Sequence, residues 1–319
     1  MHATTRAPEF SEPGHIFARR GRISGLFASC LGVATVCIAL TGCETDILPE
    51  LLVPGELPTE IGSVVDCAAF ISSDVNLNGS GEADWVTKCG VEGSVNITSN
   101  GQATALDRLR NVVVIKGDLT IGWNGDFNML QNLQRVDGSL TFTGQVAGVS
   151  GLANLTSVGK DVILASNKLN TTALSKLKHI NGHLRLQGAV KPTLSALSVI
   201  GGNLHTGYSA KPLAGLAALE QVGGAIYLEQ GQVSDVSGLT TLGSVGGGLY
   251  GTGGSSLKTM APFQSIKVWG ATAKGGRPDI RLKNMMGLQD FRGLEGFKKV
   301  GFFRVEGGAP VTSTLGLGS

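Results

Sequence analysis

The chain has 319 residues, 26 of them Lys or Arg and 24 Asp or Glu, for a formal net charge of +2. A balance this close offers no electrostatic case for nucleic acid, or for any polyanion held by the chain as a whole. The 48 glycines are roughly twice ordinary usage and, without a collagen period, call for a repeat.

In chain order, the first feature is a basic cluster, Arg19, Arg20 and Arg22, followed by an uncharged apolar or small stretch from Ile23 to Leu40. That stretch suits a signal-peptide core better than a spanning helix, because it closes on a processing signal and no stop-transfer charges follow. A plain transmembrane anchor is the competing reading, and the segment is barely long enough for it. The closing residues Leu40-Thr41-Gly42-Cys43 resemble the lipobox of bacterial lipoproteins. There, small residues admit a peptidase that cuts before a diacylglyceryl-modified cysteine. The resemblance implies that residues 1–42 are an export signal and that Cys43 is the acylated, palmitate-bearing first residue of a lipoprotein held to the membrane by its lipid. Glu9 and Glu12, ahead of the arginines, suggest a start codon further downstream. Glu44, rather than Asp, follows the cysteine, which by the same resemblance favours the outer membrane of the cell envelope. Residues 43–60 carry Pro49, Pro54 and Pro58. Prolines at this density disfavour helix and make a semi-extended tether.

Removal of residues 1–42 takes four basic and two acidic residues, leaving 22 of each and a net charge of zero. Cys30 and Cys37 leave with the signal, so Cys67 and Cys89 are the only unmodified thiols left. In an oxidising compartment a disulfide between them is the default expectation. Residues 61–90 read as an N-terminal cap. Within it, Asp74-Val75-Asn76-Leu77-Asn78-Gly79-Ser80-Gly81-Glu82 resembles an EF-hand-like calcium loop, with oxygen ligands Asp74, Asn76, Asn78, Ser80 and Glu82 on alternate residues and Gly at the sixth place. Trp85 stands where that pattern has a bidentate Glu. The alternative is an ordinary polar loop in the cap.

From residue 91 one pattern recurs: an aliphatic residue, Gly two later, then aliphatics at four and six. It reads Val91, Gly93, Val95, Ile97, then Ile115, Gly117, Leu119, Ile121, then Val136, Gly138, Leu140, Phe142, and continues from Val158, Ile180, Ile200, Val222 and Val245. A period near 22 over eight units is the mark of a solenoid. Ahead of each anchor lies a second pattern at spacing three, such as Leu213, Leu216, Leu219 before Val222. Each unit is therefore a period-two strand followed by a tightly wound return. Ile266 reads as the next anchor, with its strand resuming at Ile280-Arg281-Leu282 after an insertion, and Val300 closes the array near residue 306, ahead of a tail at 307–319. By parity the glycine faces inward, and Lys160 and Val268, which take its place in two units, predict a bulge there.

The string Cys89-Gly90-Val91-Glu92-Gly93-Ser94-Val95-Asn96-Ile97 and its recurrences resemble the receptor L domain, the leucine-rich-repeat-like β-helix of insulin- and EGF-receptor ectodomains, over residues 61–306. The resemblance implies a mainly β, right-handed parallel β-helix of about ten coils with short helical turns. It also implies a Cys67–Cys89 pair ahead of the first strand, and ligand recognition through sheet surfaces without catalysis. No kinase, cysteine-rich segment or spanning helix accompanies it.

The outward position of each strand forms one column: Asn96, Thr120, Thr141, Ile163, Arg185, His205, Tyr227, Tyr250 and Arg281. Tyr and Arg are typical binding anchors, so Arg185, His205, Tyr227, Tyr250 and Arg281 are the candidate ligand-binding face, with the insertion from Trp269 to Arg277 as its rim. The competing reading is β-propensity at exposed strand sites. Asn100, Asn124 and Asn167 read as turn residues. The histidines left in the mature chain, His179, His183 and His205, lack the partners of a zinc site. Asp118 and Asp161 are the acids on the outward face after the glycine, two coils apart, which argues against a carbohydrate-active enzyme. The sequence thus predicts a lipid-anchored module for a protein or glycan ligand, with a structural envelope protein as the alternative.

Overall fold

The computed structural model describes residues 67–76, 88–97, 109–123, 127–166, 168–187, 191–207, 212–229, 233–253, 256–273 and 276–307. Residues 1–66, with Cys43 and the tether, lie outside that set, as do Asn100, Asn124 and Asn167.

The chain is a parallel β-solenoid. Each coil but the last gives one short strand to a first sheet of 10 strands and one to a second sheet of 11, and strands two apart in sequence are neighbours except at the end of the second sheet, where the last two strands are consecutive. Alternation decides which side chains go in. In the first sheet Val91, Ile115, Val136, Val158 and Ile180 stand in register. In the second sheet Val95, Leu119, Leu140, Val162 and Leu184 do so. All of these are buried. The spacing-three pattern has its own cause. The return segments contain 3-10 turns, among them Asn128–Leu130, Ser150–Leu152, Thr171–Leu174 and Ser237–Leu239. Three residues per turn place every third side chain on the core side, which buries Leu239 and Leu242, or Leu152 and Leu155. Each buried aliphatic contributes about 1.5–3 kcal/mol.

The array begins earlier than the sequence indicates. Phe70–Ile71 and Val75–Asn76 already pair in register with Gly90–Val91 and Val95–Asn96, so the cap includes a coil. The Cys67–Cys89 disulfide staples that coil to the next, with Cα atoms 5.4 Å apart, and Cys89 N–H donates to Ala69 O at 3.0 Å. At the far end Phe302–Glu306 pairs with Asp279–Lys283. There Phe303 and Val305 continue the inward columns of Ile280 and Leu282 yet are 41% and 38% exposed.

Three expectations are corrected. The anchor of the ninth repeat is Trp269, paired with Val245. Ile266 instead holds the last spacing-three position, and both are apolar and buried. The repeat glycine does not face the core. A Cβ on Gly117 would stand 2.5 Å from the carbonyl carbon and oxygen of Gly93, so the position faces the preceding coil at the turn joining the two strands. Nor does Lys160 cause a bulge. Its N–H donates to Gly138 O and its C=O accepts from Gly182 N–H, both at 3.0 Å, and the strands on either side keep register. The preceding coil carries the short Ser139 at this corner, and Lys160 itself is exposed.

In several coils the residue after the corner position, which is glycine in most of them, locks the corner. Asp74 Oδ1 accepts from Ser94 N–H, Asp118 Oδ1 from Ser139 N–H and Asp161 Oδ1 from His183 N–H, each at 2.7 Å. His183 Nδ1 accepts from Asn203 N–H at 2.7 Å and Asn203 Oδ1 from Ala225 N–H at 2.8 Å. Glycine is needed at the corner because this side chain and the backbone beneath it fill the space where a Cβ would lie. Gly117→Ala is therefore expected to lower stability by about 1–3 kcal/mol through overpacking, read as a lower urea midpoint. Lys160→Gly should leave the midpoint within about 1 kcal/mol of the parent.

Candidate functional site: an aromatic and cationic column on the second sheet

Parallel pairing puts the outward strand residues into one line. Ile163 pairs with Arg185, Arg185 with His205, His205 with Tyr227, Tyr227 with Tyr250, and Tyr250 with Arg281. Neighbouring strands are about 4.8 Å apart, close to the preferred distance between stacked rings. The rings take that contact. His205 and Tyr227 lie with centroids 4.4 Å apart and planes 2° apart, and Tyr227 and Tyr250 lie at 4.8 Å and 10°. His183 meets the far side of His205 edge-on at 6.1 Å. At the other end the Arg281 guanidinium sits 5.9 Å from the Tyr250 centroid and 5.2 Å from that of Phe302.

The stack changes what the column can do. Its ring faces are spent on one another, on His183 and on Arg281, so the ring edges are what it offers outward. Stacking of these faces on a sugar ring, which the composition of the column invites, is closed off by this geometry. Arg185 and the three rings are also half-buried rather than free in solvent, while Arg281 is exposed. Removing the middle ring breaks two stacked contacts, each worth about 0.5–1.5 kcal/mol beyond area.

Each charged member is handled differently. His205 Nδ1 lies 3.2 Å from Glu229 Oε1, and Arg281 donates to Asp279 Oδ2 at 2.8 Å. Glu229 and Asp279 were not singled out in the sequence, although each lies two residues from a column member and so shares its outward parity. Among the described residues Arg185 has no hydrogen-bond or ion-pair partner, nor have the Tyr227 and Tyr250 hydroxyls or His205 Nε2. Burial first, then the Asp279 carboxylate and the Tyr227 phenol, raise the Tyr250 hydroxyl above its ordinary value, with Arg281 pulling the other way.

The other candidates are dispersed. His179 stands in the first sheet, in line with Ser157 and Val199. Burial, and then Lys178, hold its imidazole below its ordinary value. The carboxylates of Asp118 and Asp161 are committed to the corner ladder. Among the described residues no group of three His, Cys, Asp or Glu is placed to hold a metal ion. Asp74 spends one oxygen on Ser94, Asn76 sits in the second sheet, and Asn78, Ser80 and Glu82 lie outside the described residues. Trp269 is no rim residue. It is 8% exposed and stacked on Phe297 at 4.0 Å. The insertion after it folds back to the corner, where Thr272 donates through its N–H to Gly246 O and through its hydroxyl to Gly223 O.

No helix among the described residues is long and apolar enough to cross a membrane. Comparison with known proteins finds no matching family model and no matching curated protein.

Two outcomes follow. Tyr227→Ser should lower stability by about 1–3 kcal/mol, whereas Tyr227→Phe, which keeps the stack, should not; chemical denaturation distinguishes them. In an absorbance titration one tyrosine should ionise later than the ordinary value of 10.0, and Tyr250→Phe should remove that late phase. The folded state favours the neutral phenol. Its contribution to stability is therefore complete below the unfolded value and is lost as pH rises through the raised folded one.

Proposed function

We propose that this chain is a lipid-anchored envelope protein, held by an acylated Cys43, whose solenoid presents the column from Arg185 to Arg281 to a ligand as a recognition module rather than an enzyme. The observation that carries this reading is the set of hydrogen-bonding groups without partners along the column, of which the two phenol hydroxyls and His205 Nε2 are fixed in place by stacked, half-buried rings. Fixed groups lose little entropy on binding, which is what makes a preorganised surface adhesive. The resemblance to receptor L domains, which recognise ligands through sheet surfaces, supports the same reading. So does the use of Asp118 and Asp161, one oxygen each, as acceptors for backbone N–H groups of the next coil, a structural employment of both carboxylates.

A second reading has one observation in its favour. The stacked rings hold neighbouring coils together, as a purely structural envelope protein would need. The two separate in one experiment. The full chain, expressed in a Gram-negative host, is captured with crosslinked envelope material and compared with Arg185→Gln and with the Tyr227→Phe, Tyr250→Phe double variant. Recognition predicts that material recovered with the parent is lost from both variants, although both keep the stack. Equal recovery from all three overturns the binding face and leaves the structural role. Cys43→Ala should move the protein out of the membrane fraction; an unchanged membrane fraction overturns the anchor.

A further inference from the structure

The chemistry of the column narrows its ligand, granted the reading of this column as a binding face. Three features decide. The ring faces are occupied, so affinity must come from ring edges and from the arginines. What the column offers is biased toward donors by its arginines: the Arg185 guanidinium and, at its end, what remains of Arg281 after Asp279 takes one bond only donate, while the two phenol hydroxyls donate and accept. The formal charge of the face is positive. Arg185, Arg281 and the exposed Lys283 stand against Glu229 and Asp279, three cations to two acids, and of the cations only Arg281 has an acidic partner among the described residues.

A row of this kind calls for a ligand that is rich in acceptors, negatively charged and extended. The row is bounded at one end by the apolar Ile163, which pairs with Arg185. From Arg185 to Arg281 it spans four strand steps, about 19 Å. A peptide fits less well. It carries its carboxylates on flexible side chains that must be ordered on binding, whereas a uronate chain holds them on rigid rings. Nor can a peptide add as a strand here, because the edges of the sheet are at the two ends of the stack and not on this face. We propose that the column binds an acidic polysaccharide lengthwise along the solenoid, with sugar carboxylates on Arg185 and Lys283 and sugar oxygens on the Tyr227 and Tyr250 hydroxyls. Carboxylates suit Arg185 because a guanidinium engages them through two parallel hydrogen bonds.

The test uses the full chain in detergent and three probes: polygalacturonate, its fully methyl-esterified form, and poly-glutamate. Polygalacturonate is expected to bind, to weaken with added salt, and to bind at least tenfold more tightly than the ester. Arg185→Gln should weaken it about tenfold, and the Tyr227→Phe, Tyr250→Phe double variant by a similar factor, with thermal midpoints close to the parent. Equal binding of the ester overturns the acidic requirement. Equal or tighter binding of poly-glutamate overturns the polysaccharide class. No binding of polygalacturonate, or binding that both variants retain, overturns the proposal outright. The binding face is judged separately. Envelope material lost from the same variants keeps the face while a failure with polygalacturonate removes only this ligand.

Discussion

A coil of about 22 residues encloses its aliphatic side chains on the sides but leaves them open above and below. Those openings are closed only by another coil at strand distance. The requirement for contact at about 4.8 Å governs the rest of the structure. It selects parallel pairing, makes each coil dependent on its neighbours alone, and brings two backbones together at the turn between the sheets. Glycine at that turn and the polar residue after it are the two answers to that approach. One vacates the space and the other fills it with an acceptor for the next coil's N–H. At one corner, above Ser139, Lys160 stands in the glycine's place with the backbone hydrogen bonds to both neighbouring coils intact.

The same spacing explains the column on the second sheet. Rings set one per strand are brought to stacking distance by the backbone whatever else they do. Three in a row, His205, Tyr227 and Tyr250, therefore stack. Stacking engages only part of each of these side chains. The faces hold the coils together and the edges stay available. The rigidity that makes the row a candidate for recognition thus has its origin in packing.

Much of this was legible in the sequence, and the exceptions share a cause. Counting by two places Arg185, His205, Tyr227, Tyr250 and Arg281 on successive strands, and the structure pairs them so. Parity works because inward and outward are the only choices along a strand. It fails at the corner glycine, where the chain is turning and a third direction exists, along the stack toward the neighbour. It also fails to separate Ile266 from Trp269, since both are buried and only pairing distinguishes them. The corner ladder had a signal that went unused. Ser94, Asp118, Ser139, Asp161, His183 and Asn203 follow the glycine or its substitute in six successive units, and all are short or compact side chains able to accept a hydrogen bond. Asp118 and Asp161 were weighed as acids when their neighbours in the repeat pointed to capping. Stacking of the rings needed distances that no one-dimensional pattern contains.

The side-chain bonds of the corner all run one way, while the backbone N–H groups beside them, such as Leu119 to Ser139 O, return the contact in the other. The acceptor side chain belongs to the earlier coil and the donor N–H to the later one, from Asp74 and Ser94 through to Asn203 and Ala225. Synthesis supplies the chain in the same order, amino end first. Each new coil thus meets a finished template with its acceptor already exposed, and growth has a direction as it does on a crystal face that adds layers from one side. The Cys67–Cys89 staple lies at the end where that growth starts. The strand Phe302–Glu306, with Phe303 and Val305 still turned toward a layer that has no counterpart among the described residues, is the growth front as it stands when the repeats run out.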